Sequence, residues 1–316
     1  MNRSNMSMND MLKRRLGQLA QMHVDKDNNE GRSLEELRKT SEILKGIESQ
    51  RWRLFCTSNC MEPQRDLDSF GLALMSGEKD AVSMDYTSRM MKRGLNDETV
   101  EAIAKEYEAL RWGPTEVPIF NLLLLFTQII PAKRTKYLEL ARLFIESKVS
   151  VNGTDLSGTT ALCHSFSTKP CLDLQFAQMM YDAGGDVNKR NRYGATVAHE
   201  IVMVYDTSDA NVVRKSTKAL EWFLSHGGNV DIADSDGVSP RKIIFETLRG
   251  RVPTLKRAVE EEDSRRKAKQ LCCSLCGRDE GKLLACSRCK KAYYCSPTAR
   301  TCQKLDWPKH KKTCTA

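Results

Sequence analysis

Eight residues in the last part of the sequence have the types and spacing of metal ligands: Cys273, Cys276, Cys286, Cys289, Cys295, Cys302, His310 and Cys314. They run as Cys-x2-Cys-x9-Cys-x2-Cys-x5-Cys-x6-Cys-x7-His-x3-Cys, within 42 positions. Two closed tetrahedral zinc sites need eight such soft or borderline ligands. A Cys-x-x-Cys turn lets both sulfurs face one metal, and zinc binding supplies folding free energy that so short a segment lacks in its core. With every ligand drawn from protein, neither metal keeps an open position for water or substrate, so both sites are expected to be structural. Cys272 precedes the first ligand and is expected to be a spectator, although it could substitute for its neighbour.

The details around these ligands resemble the MYND finger: Tyr294-Cys295-Ser296, then Cys302-Gln303-Lys304-Leu305-Asp306-Trp307-Pro308-Lys309-His310-Lys311. The resemblance covers about an eighth of the chain, Cys273 to Cys314. It implies a cross-braced pairing, in which Cys273, Cys276, Cys295 and Cys302 hold one zinc and Cys286, Cys289, His310 and Cys314 hold the other. It also implies a shallow groove that takes short proline-containing peptides, often of a Pro-x-Leu-x-Pro type, with Gln303 and Trp307 as the peptide-facing residues. Trp307 reads equally well as an anchor of the finger's small core. The family usually places fewer residues between its fifth and sixth ligands than the six found here, Ser296 to Thr301. The excess is expected to bulge out as a loop and to put the first site at risk.

The elements that carry this finger have a repeating grammar. Val151-Asn152, Val187-Asn188 and Val230-Asp231 are each followed at the same distance by a glycine, Gly158, Gly194 and Gly237, and then by Thr160, Thr196 and Ser239. Apolar helical segments precede them: Leu140, Leu143 and Phe144; Phe176, Met179 and Met180; Leu220, Phe223 and Leu224. A Thr or Ser hydroxyl can take the unpaired amide hydrogens at a helix start, and the Gly184-Gly185 and Gly227-Gly228 pairs can leave a helix through positive φ. A helix–turn–helix unit of this size buries its apolar stripe only by stacking on neighbours.

The pattern closely resembles the ankyrin repeat, through Gly158-Thr-Thr-Ala-Leu-Cys163 and Gly194-Ala-Thr-Val-Ala-His199. The resemblance implies three or four units, the first opening near Gly113 and Phe70 to Met91 contributing a further one. The bounding glycines lie 45, 36 and 43 residues apart (113 to 158, 158 to 194, 194 to 237), against about 33 in that family. The extra residues are expected in inter-helix loops such as Pro131–Lys136 and Asp206–Ser216. An unrelated helical array is the alternative.

The fold class expected is therefore mainly α: an ankyrin-like helical stack plus a small cross-braced two-zinc finger. The divisions are 1–65, a polar helical segment; 66–250, the repeats; 251–270, a charged helical linker or cap; and 271–316, the finger. Within the first, Met11, Leu12, Leu16 and Leu19 recur at helical spacing, as do Leu34, Leu37, Ile43, Leu44 and Ile47, with a loop at Asp25–Arg32 between them. Within the third, Leu255, Ala258 and Val259 are the few apolar positions of what reads as a solvated helix.

Twelve cysteines, eight of them from Cys272 onward, and a start without an apolar signal region predict a reducing compartment, cytoplasm or nucleus. Cys56, Cys60, Cys163 and Cys171 are expected to be ordinary core or surface residues. The longest apolar stretch, Ile119 to Ile130, is too short to span a bilayer and predicts a buried helix. The chain carries a net charge of +9 while the stretch from Ser264 onward alone carries +11, so the remainder is −2. A basic end invites acidic partners or nucleic acid.

The function expected is an intracellular interaction scaffold or adaptor, with two structural Zn²⁺ and protein partners, not an enzyme and not a membrane protein. The alternatives are a nucleic-acid-associated transcriptional regulator using Arg265, Arg266, Lys267 and Lys269, or a relative of SET-class lysine methyltransferases, in which MYND fingers also occur. Against the latter, the sequence has neither an Asn-His dipeptide nor a Gly-x-Gly. His164 and His199 are expected to be structural.

Overall fold

In three chain reversals the same hydrogen bonds recur at equivalent positions. Asp155 Oδ1 accepts from the amides of Ser157 and Thr159, Asn191 Oδ1 from those of Tyr193 and Ala195, and Asp234 Oδ1 from those of Asp236 and Val238. Each turn closes on a glycine amide, Gly158, Gly194 or Gly237, whose φ of 77°, 74° and 78° lies in the left-handed region that side chains resist. A short polar side chain that accepts amides two and four residues on is what favours Asp and Asn at the head of a turn.

These reversals connect helix pairs. In the computed structural model, which describes residues 31–94, 96–166, 172–248, 250–268, 272–279, 281–295 and 299–315, Ile119–Ile129 packs on Arg134–Glu146, Ala161–His164 on Leu174–Asp182, and Val197–Val202 on Ala210–Ser225. Ser69–Ser76 pairs likewise with Lys79–Arg93, with Asp97–Ala109 packed against the latter. Pro240–Lys242 runs into a π turn, Ile243–Thr247, that contacts Pro253–Ala268. The first member of each pair touches the first member of the next, so the pairs form a continuous array with one apolar core from Leu74 to Val259. The first-row helices start as their sequences predict: Thr160 and Ser239 hydroxyls accept the amides of Cys163 and Lys242, and Thr196 caps reciprocally with His199.

Neighbouring pairs are tied twice. The turns bond backbone to backbone, Leu156 N–H to Thr115 O at 2.9 Å, Arg192 N–H to Ser157 O at 2.8 Å, and Ser235 N–H to Tyr193 O at 2.9 Å. Behind them, Asn152 donates to Gly184 O at 3.0 Å and accepts from the Asp186 amide at 3.1 Å; Asn188 does the same with Gly227 O and the Asn229 amide. At the third equivalent position Asp231 cannot donate and instead pairs with Arg241, which also pairs with Asp263. The second glycine of each Gly-Gly pair allows close approach: a Cβ on Gly228 would sit 2.3 Å from the Phe223 ring.

Both histidines are engaged structurally. His199 Nδ1 accepts the Thr196 amide at 2.9 Å, so Nε2 carries the proton and donates to Val238 O at 3.1 Å. Burial keeps its pKa below the ordinary value and the ring neutral. His164 Nε2 meets Asp155 Oδ2 at 2.8 Å. Burial opposes that ion pair, yet the contact leaves the His164 pKa raised and the Asp155 pKa lowered.

Three local expectations need correction. Pro131–Lys136 does not form a long loop, because a 3-10 turn at Pro131–Lys133 leads straight into Arg134–Glu146; of Asp206–Ser216 only the residues before Ala210 lie in the inter-helix loop, and Ala210–Ser225 is a 16-residue helix. The apolar positions Val212, Ala219, Leu220, Phe223 and Leu224 continue through that helix, and Asp209 caps it. Leu34 to Ile47 is not one helix, because Leu34–Arg38 and Gly46–Ser58 are separated by an extended bend. Pro253–Ala268 is not simply solvated, since Leu255, Ala258 and Val259 are buried in the array's core. Met11, Leu12, Leu16, Leu19 and Cys171 lie outside the described residues; Cys163 is buried, Cys56 half-buried and Cys60 exposed.

The segment from Thr40 to Ser58 crosses the turns. Leu44 N–H donates to Arg192 O, Arg192 Nη2 reaches Thr40 Oγ1, and Trp52, fully buried, donates to Leu156 O at 2.8 Å beneath the Arg192 guanidinium. Truncation by Phe223→Ala is expected to cost about 3–5 kcal/mol in urea unfolding, because that ring is wholly buried between helix and glycine turn. Asn188→Ala should cost about 2 kcal/mol by leaving Gly227 O and the buried Asn229 amide without partners.

Candidate metal centre

The last described segment builds its knuckles from two similar turns. After Cys273 the chain turns so that the Gly277 amide donates to Cys273 O; after Cys286 the Lys290 amide donates to Cys286 O. Gly277 and Lys290 both take positive φ, 71° and 55°, which reverses the chain and leaves each pair of sulfurs facing inward. A two-stranded antiparallel ribbon, Leu283–Ala285 with Tyr293–Cys295, presents Cys295, and the Ala299–His310 helix presents Cys302 and His310.

These elements bring the eight residues into two groups. Cys273, Cys276, Cys295 and Cys302 form one, with Cys295 Sγ at 3.7, 3.5 and 3.4 Å from the other three sulfurs. Cys286, Cys289, His310 and Cys314 form the second, with Cys286 and Cys314 sulfurs 3.9 Å apart and Cys289 Sγ 3.4 Å from His310 Nε2. Four sulfurs at about 2.3 Å from a tetrahedral zinc lie about 3.8 Å apart, so the donor sets and spacings fit two structural zinc ions. The ligands interleave along the chain, each site taking one Cys-x-x-Cys pair and two later residues. Cys272 belongs to neither group.

Four converging thiols cannot all ionise without a cation. Hydrogen bonds from Cys276 and its neighbours hold the Cys273 thiol well down, and the ionised Cys273 in turn pushes Cys276 and Cys302 up. In the second group the Cys289 and Arg288 amides bring the Cys286 thiol to about 6, while burial pushes Cys314 up to about 11. A divalent ion would release this conflict by stabilising every thiolate at once.

A model of the MYND finger matches residues 273–314. Residues 273–314 form a MYND finger. No curated protein matches the chain. MYND fingers are protein-interaction domains, and among the described residues no helix is long and apolar enough to cross a membrane.

The long interval between Cys295 and Cys302 does not prevent closure. Ala299–Thr301 already belong to the helix, and Cys302 Sγ reaches Cys295 at 3.4 Å; residues 296–298 lie outside the described residues. Gln303 is half-buried and Trp307 is 39 % exposed, four residues on and on the same side of that helix. The Trp307 ring lies 6.0 Å from the His310 ring. Beneath them Tyr294 is buried and donates to Asp306 at 2.8 Å, which makes Tyr294, not Trp307, the aromatic anchor of the finger's core.

The finger rests against the end of the helix array, a contact that sequence reasoning did not anticipate. Arg266 donates to Gly228 O at 2.8 Å and pairs with Glu262 at 2.6 Å, while a Cβ on Gly277 would overlap its guanidinium. Arg278 reaches the Tyr181 hydroxyl at 3.4 Å, and Arg265 pairs with Asp279 at 3.7 Å. The side chains of Lys267 and Lys269 lie outside the described residues.

Native mass spectrometry should find two zinc ions per chain. Cys286→Ser is expected to release one while leaving the helical far-UV signal nearly unchanged, because the sulfur cluster and the array's apolar core are separate. Acidification should release both, since protons compete for the thiolates.

Proposed function

We propose that this protein is an adaptor that couples an ankyrin-like docking surface to a peptide-binding MYND finger. The exposed Trp307 carries the peptide reading. A large aromatic side chain 39 % exposed beside the zinc ligand His310, with Gln303 one turn away, offers an apolar contact next to a hydrogen-bonding amide. A proline-containing segment suits such a shallow surface, because its extended helix loses little entropy on binding.

The ankyrin-like reading is supported by three equivalent turns with the same side-chain acceptor, the same positive-φ glycine and the same bond to the preceding turn. Solenoids of this kind present continuous binding surfaces. Zinc sites whose four ligands are all protein groups support a structural and binding role for the finger. The demand of zinc for reduced thiolates supports an intracellular setting.

Direct nucleic-acid binding through the basic run is disfavoured by the engagement of Arg265 and Arg266 with Glu262, Asp279 and Gly228. In calorimetry with the zinc-loaded full chain, a Pro-x-Leu-x-Pro peptide should bind with about micromolar affinity or weaker, as a small buried area implies. Trp307→Ala should weaken it about tenfold with both zinc ions retained. Retained affinity in that variant, or tighter binding of duplex DNA than of the peptide, would remove the proposal.

A further inference from the structure

A cavity of about 440 Å³ lies between the Gly46–Ser58 helix and the first-row helices of the array, away from the finger. Its floor is apolar, formed by Val117, Leu124 and Leu125, yet it contains two buried oxygens whose lone pairs accept no hydrogen bond from the described residues. One is Asn121 Oδ1, on a residue only 6 % exposed; the other is the Tyr193 hydroxyl, on a residue 8 % exposed. The Asn121 orientation is settled, because its Nδ2 donates to Thr159 O at 3.0 Å and the oxygen is therefore the atom left over. The Tyr193 O–H is turned to the Cys56 sulfur, a weak acceptor, so what is left open on that residue is the lone pairs of the phenol oxygen. Buried polar atoms left unpaired are costly, and two in one cavity call for a partner that serves both.

The cavity's charges indicate what that partner carries. Asp155 also lines it, but its oxygens are already occupied by His164 and by the Ser157 and Thr159 amides. Glu200 lines it too, near enough to His164 to help raise that ring's pKa. Arg53 sits at the exposed rim, stacked 4.4 Å over the Tyr193 ring. Gln128, with both a donor and an acceptor, and Thr57 also line the cavity, while Asn121, Tyr193 and Glu200 offer acceptors: an amide oxygen, a phenol oxygen and a carboxylate. A primary ammonium has three donors and one positive charge, and a short alkyl stem matches the apolar floor.

We propose that this cavity is a binding site for a primary alkylammonium group, held by Asn121 Oδ1, the Tyr193 hydroxyl and the Glu200 carboxylate, with its stem on Leu124 and Leu125. A free amine and a lysine side chain of a protein partner share this chemistry. The test is a set of titrations of the zinc-loaded full chain, followed by ligand-observed NMR, with n-pentylamine, n-pentanol, pentanoate and N-acetyl-lysine methylamide. Pentylamine should bind at roughly millimolar or tighter affinity, within the range open to so few atoms, and more tightly than pentanol or pentanoate. Comparable binding of the lysine derivative would mark a partner's side chain as the source, and binding of pentylamine alone a free amine. Glu200→Gln preserves shape and should raise the pentylamine Kd about tenfold. Leu125→Phe, which fills the floor, should abolish binding with the far-UV signal intact. Equal binding of pentanol, preference for pentanoate, a Glu200→Gln Kd within about twofold of the parent, or no binding of any probe would each overturn the proposal; in the last case the two buried atoms are served by water alone.

Discussion

Backbone hydrogen bonds between neighbouring turns set the spacing on which the helix array depends. Leu156, Arg192 and Ser235 each donate to the turn before, and these contacts require the turns to approach with nothing between them. A Cβ on Gly158 or Gly194 would sit 2.9 or 2.7 Å from the next turn's backbone nitrogen, so glycine serves there both for its φ and for its missing side chain. Helices as short as Ala161–His164 have no independent stability in water and persist because the turns hold them against their neighbours. The asparagine ladder of Asn152 and Asn188 repeats that tie on the other side of each helix pair.

The end of the array shows what happens when the next unit is missing. At Asp231 the ladder has no further turn to reach, and a carboxylate replaces the amide, turning to Arg241 and through it to Asp263. Next to it the carbonyl of Gly228 accepts from Arg266. That arginine also supports the first zinc knuckle through its contact with Gly277, so the array's terminal exposed groups become the seat of the finger. The finger is thus joined to the array by side-chain contacts as well as by the connecting chain.

Elsewhere on the array, the Thr40–Ser58 segment covers the turns at Leu156 and Arg192. Trp52 is sequestered by a carbonyl more than a hundred residues away and by the Arg192 guanidinium, a cation–π contact made possible because Arg192 projects from the tip of a turn. The cavity beneath this segment exists because the Gly46–Ser58 helix bridges over the first-row helices without filling the space between them.

Features governed by a few neighbouring residues could be read from the sequence alone. The zinc ligands were legible because metal chemistry is written in side-chain type and short spacing. The helix starts at Thr160, Thr196 and Ser239 were legible because a cap satisfies amides within three residues of itself. The Tyr294 and Trp307 roles were not separable at that level, since either ring can fill a small core and only packing shows Tyr294 inside and Trp307 outside. The loop expected at Pro131–Lys136, and the part of Asp206–Ser216 from Ala210 on, failed for a related reason: polar residues at a helix start resemble a loop until the buried stripe that follows is placed against a neighbour. Beyond local reach lie the seating of Arg266 on Gly228, the docking of Trp52 on Leu156 and the unpaired oxygen of Asn121. Each depends on how separately formed units meet, and no spacing along the chain encodes those distances; they follow only once the array has stacked.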